Sequence, residues 1–163
     1  MNLKIEPRGL PVDGVHLEGQ LPASVFDLSE NDSPKPVSPL FLAIDVIRDD
    51  DDLVVTGRLS ATFEMVCGRC AERFQQEMVL DPYESLVPIE NDDPIDLTTW
   101  LREDMLLALP PHPRCENGNV TPRECPAEGR FDPAADAAGE GSDEAQGSRA
   151  WDALDQLPNL KRN

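Results

Sequence analysis

Four cysteines are the residues of this 163-residue chain best suited to chemistry, and two of them, Cys67 and Cys70, stand in the stretch MVCGRCAERF. A Cys-x2-Cys pair has three readings. It can be half of a zinc knuckle, in which turn amides stabilise two thiolates. It can be a redox dithiol of the thioredoxin kind. It can also be a tight turn whose thiols stay reduced and unliganded, as small buried residues. A tetrahedral zinc site needs two further ligands, which Cys115 and Cys125 can supply, with His112 as a substitute three residues before Cys115. The redox reading needs a strand leading into a helix whose N-terminus lowers the first thiol's pKa. The residues after Cys70 read as a strand instead. Arg69 and Arg73 favour thiolates in either case and do not discriminate.

Other chemistry is thinly provided. The two histidines, His16 and His112, lie in Pro- and Gly-rich surroundings, and no nucleophile–base arrangement, glycine-rich phosphate loop or metalloprotease spacing occurs. Carboxylates come in runs, as on a solvated face, rather than as an acid/base pair. The expectation is a non-enzymatic protein. Its charge is lopsided: Lys and Arg total 14, Asp and Glu 32, and the net is -18. Such a surface repels phosphate backbones, because nucleic-acid binding draws on Lys and Arg displacing counterions. It attracts basic partners instead. The opening MNLKIEPRGLPVDG has neither a signal peptide's apolar region nor a transit peptide's bias, and no apolar run is long enough to span a bilayer. A soluble cytoplasmic protein with reduced cysteines and no membrane association is expected.

The elements that must hold the cysteines follow from periodicity. Residues 1–30 read as a short strand at Leu3–Glu6 followed by loops and one helical turn, and 30–39 as a proline-broken connector. LFLAIDVIR is a β-rich run ended by Asp49, Asp50, Asp51 and Asp52, four adjacent carboxylates that belong in a solvated turn. From Leu53 the odd positions Leu53, Val55, Leu59, Ala61, Phe63 and Met65 are apolar and the even ones mostly polar, which predicts a long strand with one buried face. Cys67 continues the buried parity. Residues 73–80 alternate again, with Phe74, Met78 and Leu80 on one side, so the knuckle falls at the turn of an antiparallel hairpin. Chain reversals are expected at Asp81-Pro82 and at Pro88 to Pro94. Asp96 reads as the N-cap of LTTWLREDMLLAL, a helix with Leu97, Trp100, Leu101, Met105 and Ala108 on its apolar side, widened by Leu106, Leu107 and Leu109 and stopped by Pro110-Pro111.

The fold class expected is α+β: an antiparallel sheet, with curling towards a barrel as one form of it, one packed helix and a partly disordered acidic C-terminal segment. Residues 1–125 form the domain. Residues 126–148, rich in Ala, Gly, Asp and Glu, read as a flexible acidic linker, since they bury too little apolar area to offset ordering entropy. Residues 149–163 read as a short amphipathic helix, with Trp151, Leu154 and Leu157 three residues apart, that docks on its own domain or on a partner.

Taken together, CGRCAERF after a long alternating strand, IDLTTWLREDMLLALPPHPRC, the terminal WDALDQLPNLKRN and the early VHLEGQLP resemble the YceD family, bacterial proteins also called large ribosomal RNA subunit accumulation proteins. The resemblance runs over nearly the whole chain in order. Its most specific pieces are Cys67, Arg69 and Cys70; Asp96, Leu97, Glu103, Leu107, Leu109 and Pro110; Cys115; and the Trp151-to-Leu157 segment. It implies a non-enzymatic role in accumulation of large-subunit ribosomal RNA and assembly of the large ribosomal subunit. Charge adds the expected partner: a basic ribosomal protein or the nascent subunit, met by Asp49 to Asp52 and anchored by Trp151, Leu154 and Leu157, with RNA bound weakly or indirectly. The alternatives are a dithiol redox protein, and a zinc-containing RNA-binding factor using Arg58, Arg69 and Arg73 as a basic patch.

Overall fold

The longest alternating run in the sequence becomes the spine of the molecule. In the computed structural model, which describes residues 3–29, 33–91 and 93–128, strand β5 (Asp52–Val66) is 15 residues long and buries Leu53, Val55, Leu59, Ala61, Phe63 and Met65. One edge of β5 pairs with β6 (Arg73–Pro88) along its whole length. The other edge pairs first with β4 (Leu40–Asp49) and then, near the knuckle, with the short β3 (Lys35–Pro36). Strand β2 (Val15–Leu21) adds to β4. All pairings are antiparallel, and among the described residues the sheet remains open rather than closing into a barrel.

Strand β6 departs from expectation. The chain does not reverse at Asp81-Pro82; it runs straight through. Between the pairs Leu59↔Leu80 and Gly57↔Tyr83, β5 contributes Arg58 while β6 contributes Asp81 and Pro82, so β6 carries a bulge. The extra residue flips the buried parity from Phe74, Met78 and Leu80 to Tyr83 and Val87. A bulge is where a strand tolerates proline, which has no N–H for the ladder. Opposite it, Gly57 has φ 146°, and a Cβ there would lie 2.2 Å from the Ala43 carbonyl oxygen, so only glycine lets β4 and β5 approach this closely. Arg58 reaches across to Asp81 at 2.9 Å.

Strand β2 stands where the sequence reads as loop, because Gly14, Gly19 and Pro22 punctuate that stretch. Val15, Leu17 and Leu21 nonetheless share one parity, against His16, Glu18 and Gln20.

The inner face of the sheet is closed by helix α1 (Leu97–Leu107). Asp96 caps it by accepting from the Thr98 amide at 2.9 Å. That hydrogen bond holds the Asp96 carboxyl below its ordinary pKa. The helix buries Leu97, Leu101 and Met105, whereas Trp100 is only half-buried. Leu107 does not widen the apolar face: it is 82% exposed, because at roughly 100° per residue it lies about 120° around the helix from the buried line of Leu97, Leu101 and Met105. Two ties fix the helix. Strands β1 (Lys4–Ile5) and β7 (Ile95–Asp96) pair at its entrance. Tyr83 donates to Asp104 at 2.6 Å, and burial followed by this bond raises the tyrosine's pKa above its ordinary value. Phe26, from a short turn after β2, meets Phe63 edge-to-face with ring centroids 5.0 Å apart, filling the core between helix and sheet. Among the described residues no helix is long and apolar enough to cross a membrane.

The compact unit runs to Glu128, slightly beyond the expected boundary at 125: the Glu128 amide donates to the Cys125 carbonyl at 2.9 Å and Ala127 is buried. The remaining linker residues from 129 and the 149–163 helix lie outside the described residues, and with them Trp151, Leu154 and Leu157.

Candidate metal centre

The β5–β6 hairpin puts Cys67 and Cys70 where the alternation predicts, in the connection between Val66 and Arg73. The turn is held by Cys67 N–H to Glu72 O at 2.9 Å and Ala71 N–H to Cys67 O at 3.0 Å, with Ala71 in the left-handed region at φ 58°. Strand follows turn, so the strand-to-helix setting of a thioredoxin dithiol is not present here.

The second pair arrives on a loop that the sequence left without periodicity. Its order comes from docking on the free edge of β6. Asn119 acts as a surrogate strand residue: its amide oxygen accepts from Glu77 N–H at 2.7 Å and its amide nitrogen donates to Glu77 O at 2.9 Å. Gly68 N–H donates to Pro113 O at 2.9 Å, binding the knuckle to the loop. Cys115 opens a single 3-10 turn, Cys115–Asn117, and Gly118 closes it against Phe74; a Cβ at Gly118 would fall 3.0 Å from the Phe74 ring. Ion pairs Arg123–Glu72 (2.6 Å) and Arg69–Glu116 (3.6 Å) cross the same seam. They are partly exposed, so solvent screens them and the backbone bonds are the firmer part of the seam.

These contacts gather all four cysteines. Their sulfurs lie within 4.8 Å of one another, Cys70 and Cys115 at 3.8 Å, and none is in a disulfide. Four thiolates bound to one zinc at about 2.3 Å sit about 3.8 Å apart at the corners of a tetrahedron, so the quartet is at ligand spacing. Cys67, Cys115 and Cys125 are buried and Cys70 is half-buried. His112 is exposed and stands outside the quartet, so the substitute ligand is not brought in.

The surroundings suit thiolates unequally. Burial raises the Cys67 pKa, but the amides of Cys70, Cys115 and Arg69 more than offset it and bring the thiol down to about 6. Burial pushes Cys115 up to about 12, reinforced by Cys125, Cys67 and Cys70. For Cys70 the Glu72 amide favours the thiolate, yet burial and the Cys67 and Cys125 sulfurs leave its pKa raised. Four sulfurs this close cannot all ionise without a cation between them. Arg123 provides part of the compensation: burial works against its charge, while Cys115 and Glu72 hold it. No sequence signal pointed to Arg123, because it lies in the loop whose path is set only by the edge of β6. Comparison with protein-family models, curated proteins and solved structures finds no match.

Of the other predicted site residues, the aspartate run lies apart from this cluster. Asp49 to Asp52 form the β4–β5 turn, with Asp49 paired to Asp52, Asp49 to Asp51 exposed and Asp50 at φ 48°. Arg58, Arg69 and Arg73 do not make a free basic patch. Each faces a carboxylate: Asp81 at 2.9 Å, Glu116 at 3.6 Å and Glu64 at 2.7 Å.

Proposed function

We propose that this protein is a non-enzymatic factor, its cysteine end closed by a structural zinc ion, that supports accumulation of large-subunit ribosomal RNA by holding a basic protein of the assembling large subunit. The ribosomal part rests on the resemblance to the YceD family. The choice of protein over RNA rests on one observation: in a chain of net charge -18, the three arginines that could form a phosphate-binding patch are each committed to a carboxylate. The acidic surface is left to meet Lys and Arg.

Zinc fits the donor set. Cys67, Cys70, Cys115 and Cys125 would hold it, and four protein ligands leave no open position for a substrate, which is the arrangement of a structural site. Its chemistry would be electrostatic, keeping four adjacent sulfurs as thiolates. The chain's own contribution is the set of amides aimed at Cys67 and the Arg123 charge beside Cys115.

The test is a pull-down of bacterial extract proteins by the tag-free full chain, with and without ribonuclease. Recovery of basic ribosomal proteins that survives digestion and falls steeply as salt is raised supports the proposal, because salt screens opposed charges. Recovery that vanishes with the RNA overturns it in favour of the RNA-binding alternative.

A further inference from the structure

The sheet face turned away from α1 carries a row of side chains that the zinc end does not explain. Ile47 on β4 is the cross-strand partner of Val54 on β5, and Val54 is the partner of Leu86 on β6. The neighbouring positions Val46, Val55 and Val87 point into the core, so these three point out. Ile47 is 42% exposed and Leu86 63%, and Val54 is half-buried. An outward face ordinarily carries polar side chains at such positions. Beside the row lies a shallow depression of about 430 Å³ lined by Val54, Thr56, Glu84, Ser85 and Leu86.

What surrounds the row identifies what would sit on it. The next cross-strand set along is Asp45, Thr56 and Glu84, and on the other side comes the Asp49–Asp52 turn. The basic side chains nearest this region are already engaged. His16 lies 2.8 Å from Asp45, Arg48 donates to the backbone oxygens of Asp50 and Pro7, and Arg58 pairs with Asp81. An apolar strip between two acidic borders complements a segment with an apolar stripe bordered by Lys or Arg. RNA offers no such stripe and shares the sign of the borders, and a second copy of this chain would bring its own carboxylates against them.

We infer that the Ile47–Val54–Leu86 row is the docking surface for a basic amphipathic segment of a partner protein, whose apolar residues seat on the row while its Lys or Arg side chains meet Asp45, Glu84 and the Asp49–Asp52 turn. This rests on the basic-partner reading above and adds where the partner sits and what anchors it. Charge brings such a segment in; the apolar row holds it, since binding energy concentrates in a few desolvated apolar contacts.

The probe is a synthetic helical peptide with leucines on one face and lysines beside them, titrated into isotope-labelled full-length protein by NMR and calorimetry. Amide shifts should cluster around residues 47, 54 and 86. Leu86→Ser should weaken binding about tenfold or more, as loss of a central apolar anchor does. Leu107→Ser, at a still more exposed leucine on α1, should leave it unchanged. Shifts elsewhere, equal effects of the two variants, or equal binding of a peptide with glutamates for lysines would overturn the assignment. So would a wild-type dimer in sedimentation that Leu86→Ser dissolves, which would make a second copy the occupant. The pull-down separates the two proposals. Ribosomal proteins recovered equally by wild type and Leu86→Ser would refute this surface and leave the basic-partner reading intact. None recovered by wild type would refute that reading, and the peptide titration would then decide the surface alone.

Discussion

The two ends of β5 are both hairpin turns, roughly 45 Å apart at about 3.3 Å of rise per residue, and they solve opposite electrostatic problems. At the β4–β5 end, like charges on Asp49 to Asp52 repel and are relieved by water. At the β5–β6 end, four sulfurs are drawn inside, where they either keep their protons or share a cation. Exposure decides the difference: Asp49 to Asp51 are exposed, whereas Cys67, Cys115 and Cys125 are buried. A buried charge must be compensated within the protein, and a solvated one need not be. Hence the cysteine end should matter to folding and the aspartate end to encounter with partners.

The largest effect expected from breaking this comparison is at the cysteine end. Cys67→Ser should lose the metal and lower stability together, by several kcal/mol, because metal binding and formation of the site are coupled. Thermal unfolding followed beside metal content checks this; loss of metal with unchanged unfolding would contradict it. Acid should act in the same direction, since protons compete with metal for thiolates, so metal release should increase as pH falls.

Next comes a contrast between the two faces of the sheet. Leu101→Ala, under α1, should cost about 2–5 kcal/mol through lost burial and a cavity. Leu86→Ala, on the outer face, should cost less than about 0.5 kcal/mol. Equal costs in chemical denaturation would show that the outer row is packed rather than available.

A smaller effect is expected at the helix cap. Asp96→Ala should cost about 1 kcal/mol near neutral pH. The folded pKa of Asp96 lies below its ordinary value of 3.8, so the contribution is present above that value and is lost as pH falls through the folded pKa. The difference between variant and wild type should therefore shrink in strongly acidic solution. Smallest of all is the effect on stability of replacing Asp49 to Asp52 by asparagine. Relief of repulsion should leave unfolding unchanged or slightly improved, while binding of the basic peptide falls and becomes less salt-sensitive.

How much of this was legible depended on whether the signal was local. β4, β5, the first half of β6, the Asp96 cap and the buried side of the helix follow from alternation and capping alone. The bulge at Asp81-Pro82 was misread as a reversal because proline marks both, and only the parity change from Leu80 to Tyr83 separates them. β2 was hidden by its glycines, although its alternation is regular. In the site, Cys67 and Cys70 were placed by the parity of β5. The approach of Cys115 and Cys125 depended on a backbone edge that no periodicity in residues 112–128 encodes: Asn119 docking on Glu77. His112 was a reasonable ligand by spacing, but it is exposed and outside the quartet. Leu107 is apolar but stands about 120° around the helix from Leu101, off the line that packs on the sheet.

The claim on which the contrast between the two ends rests is that the cysteine quartet binds zinc. Elemental analysis of tag-free, full-length protein purified without added metal or chelator tests it most directly, with the Cys67→Ser variant prepared alongside. The account predicts one zinc ion per wild-type chain and none in the variant. Wild-type protein that is free of metal, takes up none when zinc is supplied, and unfolds at the same temperature as Cys67→Ser would contradict it.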